Sequence, residues 1–181
     1  QIKADPTVVT IIAGTPGGFG FNSEWRNEGG KQYIDVGIAE EHAVAMSSGI
    51  AKNGGKPVFN VYSTFLQRTY DQLVQDLCVN NNSAVIINHM ASVYGMNDVT
   101  HLGFFDIPML TSIPNLVYLA PTNNEELLAM TEYAVHQHEH PVAIRVPVGE
   151  FISTGVADTT DYSVLNKSEI TRRGEGIALL G

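Results

Sequence analysis

Two adjacent carboxylates stand near the start of a helical pattern in residues 35–44, DVGIAEEHAV. A carboxyl group held at such a place can share a proton with a ring nitrogen of a bound heterocycle. Neighbouring helix positions are about 100° apart, so only one of Glu40 and Glu41 can face a given site. On spacing alone, the pattern favours a simpler explanation, in which both residues stabilise the positive end of the helix dipole.

A second informative stretch, residues 61–73, reads VYSTFLQRTYDQL and runs from an apolar strand through a polar, aromatic turn into another helix. It contains Tyr62, Phe65 and Arg68. Composition alone makes Phe65 equally suited to the core, and an isolated helical arginine is usually a solvated surface residue. In a parallel α/β sheet, however, small ligands bind where strands end and the following helices begin. Both stretches are therefore predicted to lie at one ligand site.

The elements that must position these residues alternate along the chain. Apolar, β-branched runs predict strands at 7–13, 33–36, 57–62, 84–89, 116–120 and 142–146, and periodic patterns predict helices at 40–52, 66–79, 107–113 and 125–137. This order indicates an α/β fold, a doubly wound and mostly parallel sheet with helices on both faces. We expect residues 14–31 to form an irregular, glycine-rich surface loop. Residues 90–103 form a second long loop, and long loops inside a compact domain are usually functional.

Bulk properties exclude some classes of protein. The chain has 181 residues, a formal net charge of −9 and a single cysteine, Cys78. The negative charge argues against a nucleic-acid partner, and no apolar run approaches the roughly 20 residues that cross a membrane. One cysteine fits a reducing cytoplasm, with the thiol buried. We expect a domain over residues 1–157, a polar linker over 158–176, and the start of a further, truncated domain at 177–181.

Four motifs in order carry a resemblance: VGIAEEHAV, KPVFNVYSTFLQRTYDQL, THLGFFDIPML and IPNLVYLAPTNNEE. From about residue 5 to about residue 149 the chain resembles the pyrimidine-binding domain of thiamine-diphosphate enzymes of the transketolase group. Within that group it is most similar to the 1-deoxy-D-xylulose-5-phosphate synthase family. The resemblance implies a transferase that condenses pyruvate, with decarboxylation, and glyceraldehyde 3-phosphate.

The resemblance also implies roles for individual residues. Glu40 would hydrogen-bond the aminopyrimidine ring, where an acid is needed so that the cofactor's own amine can remove a proton from the thiazolium carbon. Phe65 would stack on that ring, and Tyr62 and Arg68 would line the active site as further cofactor-binding residues. Tyr62 and His101 would contact the substrate. His101 would also be catalytic. Arg145 would grip the phosphate, since its fork pairs bidentately with phosphate oxygens.

Three departures from the family pattern bear on the substrate. Glu41 stands where glutamine is usual, His89-Met90 where the family has Asp-Arg, and Asn97 where it has aspartate. In the family that arginine is the second phosphate ligand. Its loss is expected to cost ~1.5–3 kcal/mol, or roughly ten- to a hundredfold in affinity. His89 is a candidate for partial compensation.

The same resemblance implies partners and leaves alternatives open. The family binds the diphosphate and Mg²⁺ through a GDG-type motif in a separate domain, and the printed sequence has no such motif. We therefore expect a homodimer in which the diphosphate-binding domain belongs to the same protein or to a partner subunit, and an inactive chain on its own. Another ketol transferase, including a split transketolase subunit with a different acceptor, remains open, as does a non-catalytic paralogue. His136, His138 and His140 are interpreted as cations at a helix end, with no metal site predicted.

Overall fold

The computed structural model describes residues 2–92, 99–166, 170 and 172–178. Its centre is a six-stranded sheet in the order β2-β1-β3-β4-β6-β5, in which every pairing is parallel. The strands are β1 (Val8–Ile12), β2 (Tyr33–Asp35), β3 (Lys56–Tyr62), β4 (Val85–His89), β5 (Val117–Leu119) and β6 (Val142–Val146). Each predicted strand is present, and its ends differ from the prediction by at most one residue. The predicted doubly wound α/β sheet is confirmed.

The helices agree less closely with those predicted from the sequence. They are α1 (Ser23–Gly29), α2 (Glu40–Lys52), α3 (Ser63–Leu66), α4 (Tyr70–Gln72), α5 (Asp106–Thr111) and α6 (Asn124–His136). The glycine-rich stretch 14–31 is not wholly irregular, because it contains α1 and two 3-10 turns, Pro16–Phe19 and Gly30–Gln32. The predicted helix at 66–79 begins earlier, at Ser63. It passes through a 3-10 turn, Gln67–Thr69, and ends as a π-helix, Leu73–Cys78. In the described ranges, none of these helices has the length and apolarity required to cross a membrane.

Two apolar layers cover the two faces of the sheet. On one face Ile11, Phe59 and Ile86 pack with residues of α2, of the helical segment 63–78 and of α5. On the other face Val85, Ile87 and Ile144 pack with α6. The alternation follows from the strand geometry, in which successive side chains point to opposite faces. Burial on both faces explains why these strands read as near-continuous apolar runs.

The ends of α6 match their sequence signals. Asn123 caps the first turn, where its side-chain oxygen accepts the backbone N–H of Glu126 at 2.9 Å. The helix ends at His136, whose Nδ1 lies 2.9 Å from the carbonyl oxygen of Glu132. Beyond β6, Tyr162 and Leu165 pack partly buried against the second layer. Part of the stretch expected to be a linker therefore contacts the sheet domain, and the domain boundary at residue 157 stays a prediction.

Gly103 marks the point where the second long loop returns to the sheet. A Cβ atom on Gly103 would lie 1.9 Å from the carbonyl oxygen of Met90 and 2.7 Å from Cα of Ala91. Both are backbone atoms, so neither can move aside cheaply. The segment just before α5 consequently requires glycine to approach the end of β4.

We predict that Gly103→Ala destabilises the protein by about 1–3 kcal/mol, the usual cost of overpacking. The matched control is Gly49→Ala in the middle of α2, where an added Cβ has nothing within 4 Å. That change should stabilise by about 0.5–1 kcal/mol, because alanine loses less conformational freedom in a helix. The measurement is the urea midpoint of each variant. Equal shifts for the two would mean that the close approach at Gly103 has no energetic weight.

Candidate active site

The residues predicted to do chemistry converge on the edge of the sheet where the strands end. Tyr62 and His89 are the last residues of β3 and β4, Arg145 is one residue from the end of β6, and Glu40 begins the helix that follows β2. Because all six strands are parallel, their carboxyl ends share this edge. Chain segments far apart in sequence are therefore brought to one place, as the sequence predicted.

Glu40 is the buried carboxylate of this edge. Only 2% of its surface is exposed, and its Oε2 atom makes no hydrogen bond. Nη1 of Arg68 lies 3.4 Å from that oxygen, which is close enough for charge attraction without hydrogen-bond geometry. A buried acceptor without a partner typically costs about 1–3 kcal/mol. A buried carboxylate oxygen that makes no hydrogen bond, at the start of a helix, is suited to accept a hydrogen bond from a ligand.

Glu41 has a different environment from its neighbour. Its side chain is 36% exposed, and its Oε1 accepts a hydrogen bond from Nε of Arg68 at 2.9 Å. A hydrogen bond from its own backbone N–H, followed by the bond from Arg68, holds the pKa of Glu41 below its ordinary value. Arg68 thus lies between the two carboxylates. The expectation that only one of the pair can face into the site agrees with this geometry, and Glu40 is the inward one.

Aromatic rings cluster around Phe65. Phe65 lies 5.7 Å from Tyr62 and 5.3 Å from His101 between ring centroids, the latter in an edge-to-face arrangement. Phe65 is also partly buried against the first apolar layer. Such tilted and edge-to-face contacts are typical of aromatic clusters. The structure therefore brings Tyr62, Phe65 and His101 together.

The glycine-rich stretch supplies a residue that the sequence analysis missed. The ring of Phe19 lies 4.9 Å from that of Tyr62 and 4.5 Å from that of His89. The neighbouring Gly18 approaches so closely that a Cβ there would lie 1.6 Å from the hydroxyl oxygen of Tyr62. Gly18 and Phe19 therefore lie against Tyr62 and His89, the last residues of β3 and β4. The signal was weak, because a phenylalanine among glycines does not indicate its distant partner.

His89 is not placed to compensate for a missing phosphate ligand. Its Nε2 lies 3.2 Å from Oδ1 of Asn60, and burial lowers the pKa of His89 to about 4. The ring is therefore uncharged at neutral pH. In the parallel register Asn88 pairs with Arg145 and His89 pairs with Val146, so His89 and Arg145 point to opposite faces of the sheet. The compensation considered from the sequence is disfavoured on both counts.

Arg145 is anchored by a residue that the sequence analysis did not single out. Its Nε donates to Oδ2 of Asp106 at 2.9 Å, and its Nη2 donates to the carbonyl oxygen of Gly103 at 3.2 Å. Asp106 is fully buried at the start of α5. The predicted helix began one residue later, at Ile107. An aspartate at a helix start reads as an ordinary dipole partner, so no local signal identified its ion pair.

Two further side chains hold the same carboxylate oxygen. Asn88 donates to Oδ2 of Asp106 at 2.9 Å and the Tyr118 hydroxyl donates at 2.5 Å. Burial, together with the bond to Asp106, raises the pKa of Tyr118 well above its ordinary value. Oδ1 of Asp106 makes no hydrogen bond. Three donors on one oxygen fix the carboxylate's orientation, and with it the direction of the Arg145 guanidinium.

The segment that carries His101 is tied at both ends. The Thr64 hydroxyl donates to the carbonyl oxygen of Thr100 at 2.8 Å, and the backbone N–H of Gly103 donates to the carbonyl oxygen of Ser92 at 3.3 Å. Oγ1 of Thr100 also lies 2.9 Å from Nδ1 of His101.

Met90, the residue after the end of β4, has a positive φ of 56°. Asn97, the third departure from the family pattern, lies outside the described residues.

A cavity of about 940 Å³ lies elsewhere in the fold, beside β5. Residues of β5 line one side of it and residues 160–166 line the other. It contains none of the predicted site residues. The convergent polar and aromatic groups lie instead at the carboxyl edge.

Comparisons with known proteins agree with this architecture. The family described as "Transketolase, pyrimidine binding domain" matches residues 2–152. A 1-deoxy-D-xylulose-5-phosphate synthase of Gloeothece citriformis is 38% identical over 178 residues, which is 98% of this chain and 28% of that protein. One of Stenotrophomonas maltophilia is 45% identical over 152 residues, covering 83% of this chain and 24% of that protein. The chain thus spans about a quarter of the length of these curated relatives.

Solved structures share the fold at low sequence identity. A transketolase from Leishmania mexicana superposes with a TM-score of 0.76 at 16% identity, over 86% of this chain and 25% of that one. A structure titled "Split gene transketolase, inactive beta4 tetramer" gives 0.67 at 19% identity, over 86% of this chain and 50% of that one. With its parallel sheet and its match over residues 2–152, the chain belongs to the transketolase pyrimidine-binding domain family.

Proposed function

We propose that the chain is the pyrimidine-binding part of a thiamine-diphosphate-dependent transferase that condenses pyruvate and glyceraldehyde 3-phosphate, as 1-deoxy-D-xylulose-5-phosphate synthases do. The observation that carries the proposal is the Oε2 atom of Glu40, which is buried, without a hydrogen bond, and at the ligand-binding edge of a parallel sheet. The relatives at 38–45% identity that bear the synthase name support it.

The residues present fit one end of the cofactor. The carboxylate oxygen of Glu40 that makes no hydrogen bond suits a ring nitrogen that carries or shares a proton, and the ring of Phe65 suits a stacked pyrimidine. We propose that a domain outside these residues, in the same protein or in a partner subunit, binds the diphosphate and Mg²⁺. The relatives' greater length supports this division. The solved split-gene transketolase, titled an inactive tetramer, is in keeping with inactivity of this chain alone.

Each side chain then has a task. When bound, thiamine diphosphate would supply the nucleophilic carbon for carbon–carbon bond formation. Glu40 would hold a proton at Oε2, and Arg68 would moderate the charge of that carboxylate from 3.4 Å. Phe65 would orient the pyrimidine by stacking. Tyr62 and His101, on either side of Phe65, would contact the substrate, and His101 would also assist proton transfer.

Arg145 is proposed to bind the phosphate of the acceptor, under constraint. Its Nη1 atom is the guanidinium nitrogen that has no hydrogen bond within the described ranges, since Nε and Nη2 are already engaged. Asp106 also neutralises much of its charge. With Nε committed to Asp106, a charge-assisted contact to an anionic oxygen would come from the Nη1 end of the guanidinium.

A second candidate is a ketol transferase or split transketolase subunit with a less phosphorylated acceptor. A specific set of observations favours it. Met90 is uncharged, His89 is neutral and on the face opposite Arg145, and Arg145 is paired with a buried carboxylate. A non-catalytic paralogue has less support, because a buried carboxylate oxygen without a hydrogen bond at Glu40 costs stability and gives such a protein no compensating gain.

For Glu40 we predict that Glu40→Gln in the full-length protein nearly abolishes turnover and leaves the fold intact. The amide cannot hold the shared proton in the same way, while its shape is unchanged. Glu41→Gln, on the neighbouring residue, is the matched control and should change kcat by less than about threefold, because Glu41 is at the solvent-exposed rim. The measurement is kcat for each variant, with circular dichroism to check folding. Equal losses in the two would show that Glu40 has no special role.

For Met90 we predict that Met90→Arg lowers KM for glyceraldehyde 3-phosphate roughly tenfold, since a restored charge-assisted contact is worth about 1.5 kcal/mol or more. Met90→Gln is the control, because it introduces polarity and length without charge at the same positive-φ position. Steady-state kinetics with varied acceptor measure the difference. If both variants keep the parent KM and an undamaged kcat, the pocket does not address a phosphate from this position, and the second candidate function is preferred.

A further inference from the structure

Arg145 makes contacts that go beyond holding a ligand. Its Nη2 donates to the carbonyl oxygen of Gly103, and its Nε donates to the side chain of Asp106, three residues further along the chain. One guanidinium therefore joins β6 to both the end of the second long loop and the first turn of α5. His101 lies two residues before Gly103, within the same short segment.

The other end of that segment is fixed independently. Thr64, in α3, donates its hydroxyl to the carbonyl oxygen of Thr100, the residue before His101. His101 is thus enclosed by two anchors, Thr64 on one side and Arg145 on the other. Its ring packs edge-to-face on Phe65, the neighbour of Thr64. The position of the imidazole follows from both anchors.

The Arg145 anchor depends on the buried carboxylate. Asp106 is 0% exposed, and its Oδ2 receives Asn88, Tyr118 and Arg145 together. Since Asn88 and Arg145 are register partners on β4 and β6, the sheet itself sets the spacing of two of these donors. The carboxylate is therefore fixed relative to the sheet, and it holds the guanidinium where it reaches Gly103.

We propose that Asp106 and Arg145 form a clamp that positions the His101 segment, residues 100–103, and that Asp106 is a positioning residue for the reaction with the acceptor. The inference rests on the proposed function for its kinetic consequence and on geometry alone for its structural one. Arg145 then affects any acceptor that meets His101, whether or not that acceptor carries a phosphate. A pure phosphate ligand would affect phosphorylated acceptors only.

The first test compares two acceptors in the full-length protein, with pyruvate as donor. Asp106→Asn should lower kcat/KM on the order of a hundredfold, the usual effect of misplacing a catalytic group by about 1 Å. We expect the same factor, within threefold, for glyceraldehyde 3-phosphate and for unphosphorylated glyceraldehyde, with KM for pyruvate unchanged. A loss confined to the phosphorylated acceptor would overturn the clamp and leave Asp106 acting only through a phosphate contact.

A double-mutant cycle separates positioning from general damage. If Asp106 acts through His101, then Asp106→Asn should lower kcat/KM little further when His101→Asn is already present, because the imidazole that Asp106 positions is then absent. Full additivity of the two losses would contradict the proposal. Tyr118→Phe, which removes one donor to Asp106 and keeps the ring, should give a smaller loss with the same equal effect on both acceptors, and it serves if Asp106→Asn fails to fold.

A third test of the clamp measures structure and does not depend on catalytic activity. Hydrogen exchange of the peptide covering residues 99–106 should accelerate at least tenfold in Asp106→Asn, because the Gly103 end of the segment is released. The matched control is Tyr162→Phe, since Tyr162 also donates its hydroxyl to an aspartate, Asp158, away from the carboxyl edge. It should leave exchange in 99–106 unchanged. Unchanged exchange in Asp106→Asn would contradict the clamp. If the parent protein is inactive and exchange is still accelerated in the variant, only the proposed function is contradicted.

Discussion

The direction of the strands is the constraint on which the rest of the site depends. Because every pairing in the sheet is parallel, each strand delivers its last residue to the same edge. Glu40, Tyr62, His89 and Arg145 come from four separate strand–helix units and still meet there. Reversing even one strand would send its terminal side chain to the far side of the domain. Buried strands with helices on both faces also leave this edge as the place where backbone and side-chain polar groups can turn towards a ligand.

Two buried carboxylates at this edge, Asp106 and Glu40, each lie next to an arginine but differ in their hydrogen bonds. Asp106 receives three donors on one oxygen and pairs with Arg145 at 2.9 Å, so its charge is held and oriented. Glu40 has no hydrogen bond at Oε2 and only a 3.4 Å approach from Arg68. A satisfied buried network rigidifies its surroundings, while an unsatisfied group remains available to a ligand. The first system therefore fits a positioning task, and the second fits a binding one.

The sequence predicted the parts of this arrangement that depend on local pattern. Strand positions came out within one residue at either end, and Glu40 was identified at the helix start, because hydrophobic periodicity and a motif are local signals. Asp106 and Phe19 were missed. Asp106 meets Arg145 across 39 residues, and the Phe19 ring packs on His89 some 70 residues away. Neither residue differs, in its own neighbourhood, from a helix-start aspartate or a loop aromatic. Only the tertiary fold selects their partners, and the same applies to the face that His89 takes.

Glu41 acquires a physical explanation from the same geometry. Arg68 gives its Nε to Glu41 at 2.9 Å and reaches Glu40 only through Nη1, without hydrogen-bond geometry. A carboxylate attracts a guanidinium through its charge as well as through the hydrogen bond, so a glutamate at this rim position holds Arg68 more firmly than a glutamine. Solvent reaches Glu41, and the hydrogen bonds from its own backbone N–H and from Arg68 hold its pKa below the ordinary value, so it can stay charged at little cost. The hydrogen bond of Arg68 therefore goes to the exposed carboxylate, and the buried carboxylate has an ion-pair contact with the same guanidinium. Oε2 of Glu40 has no hydrogen bond in this arrangement, and that oxygen is the group through which this edge can recognise a ring nitrogen.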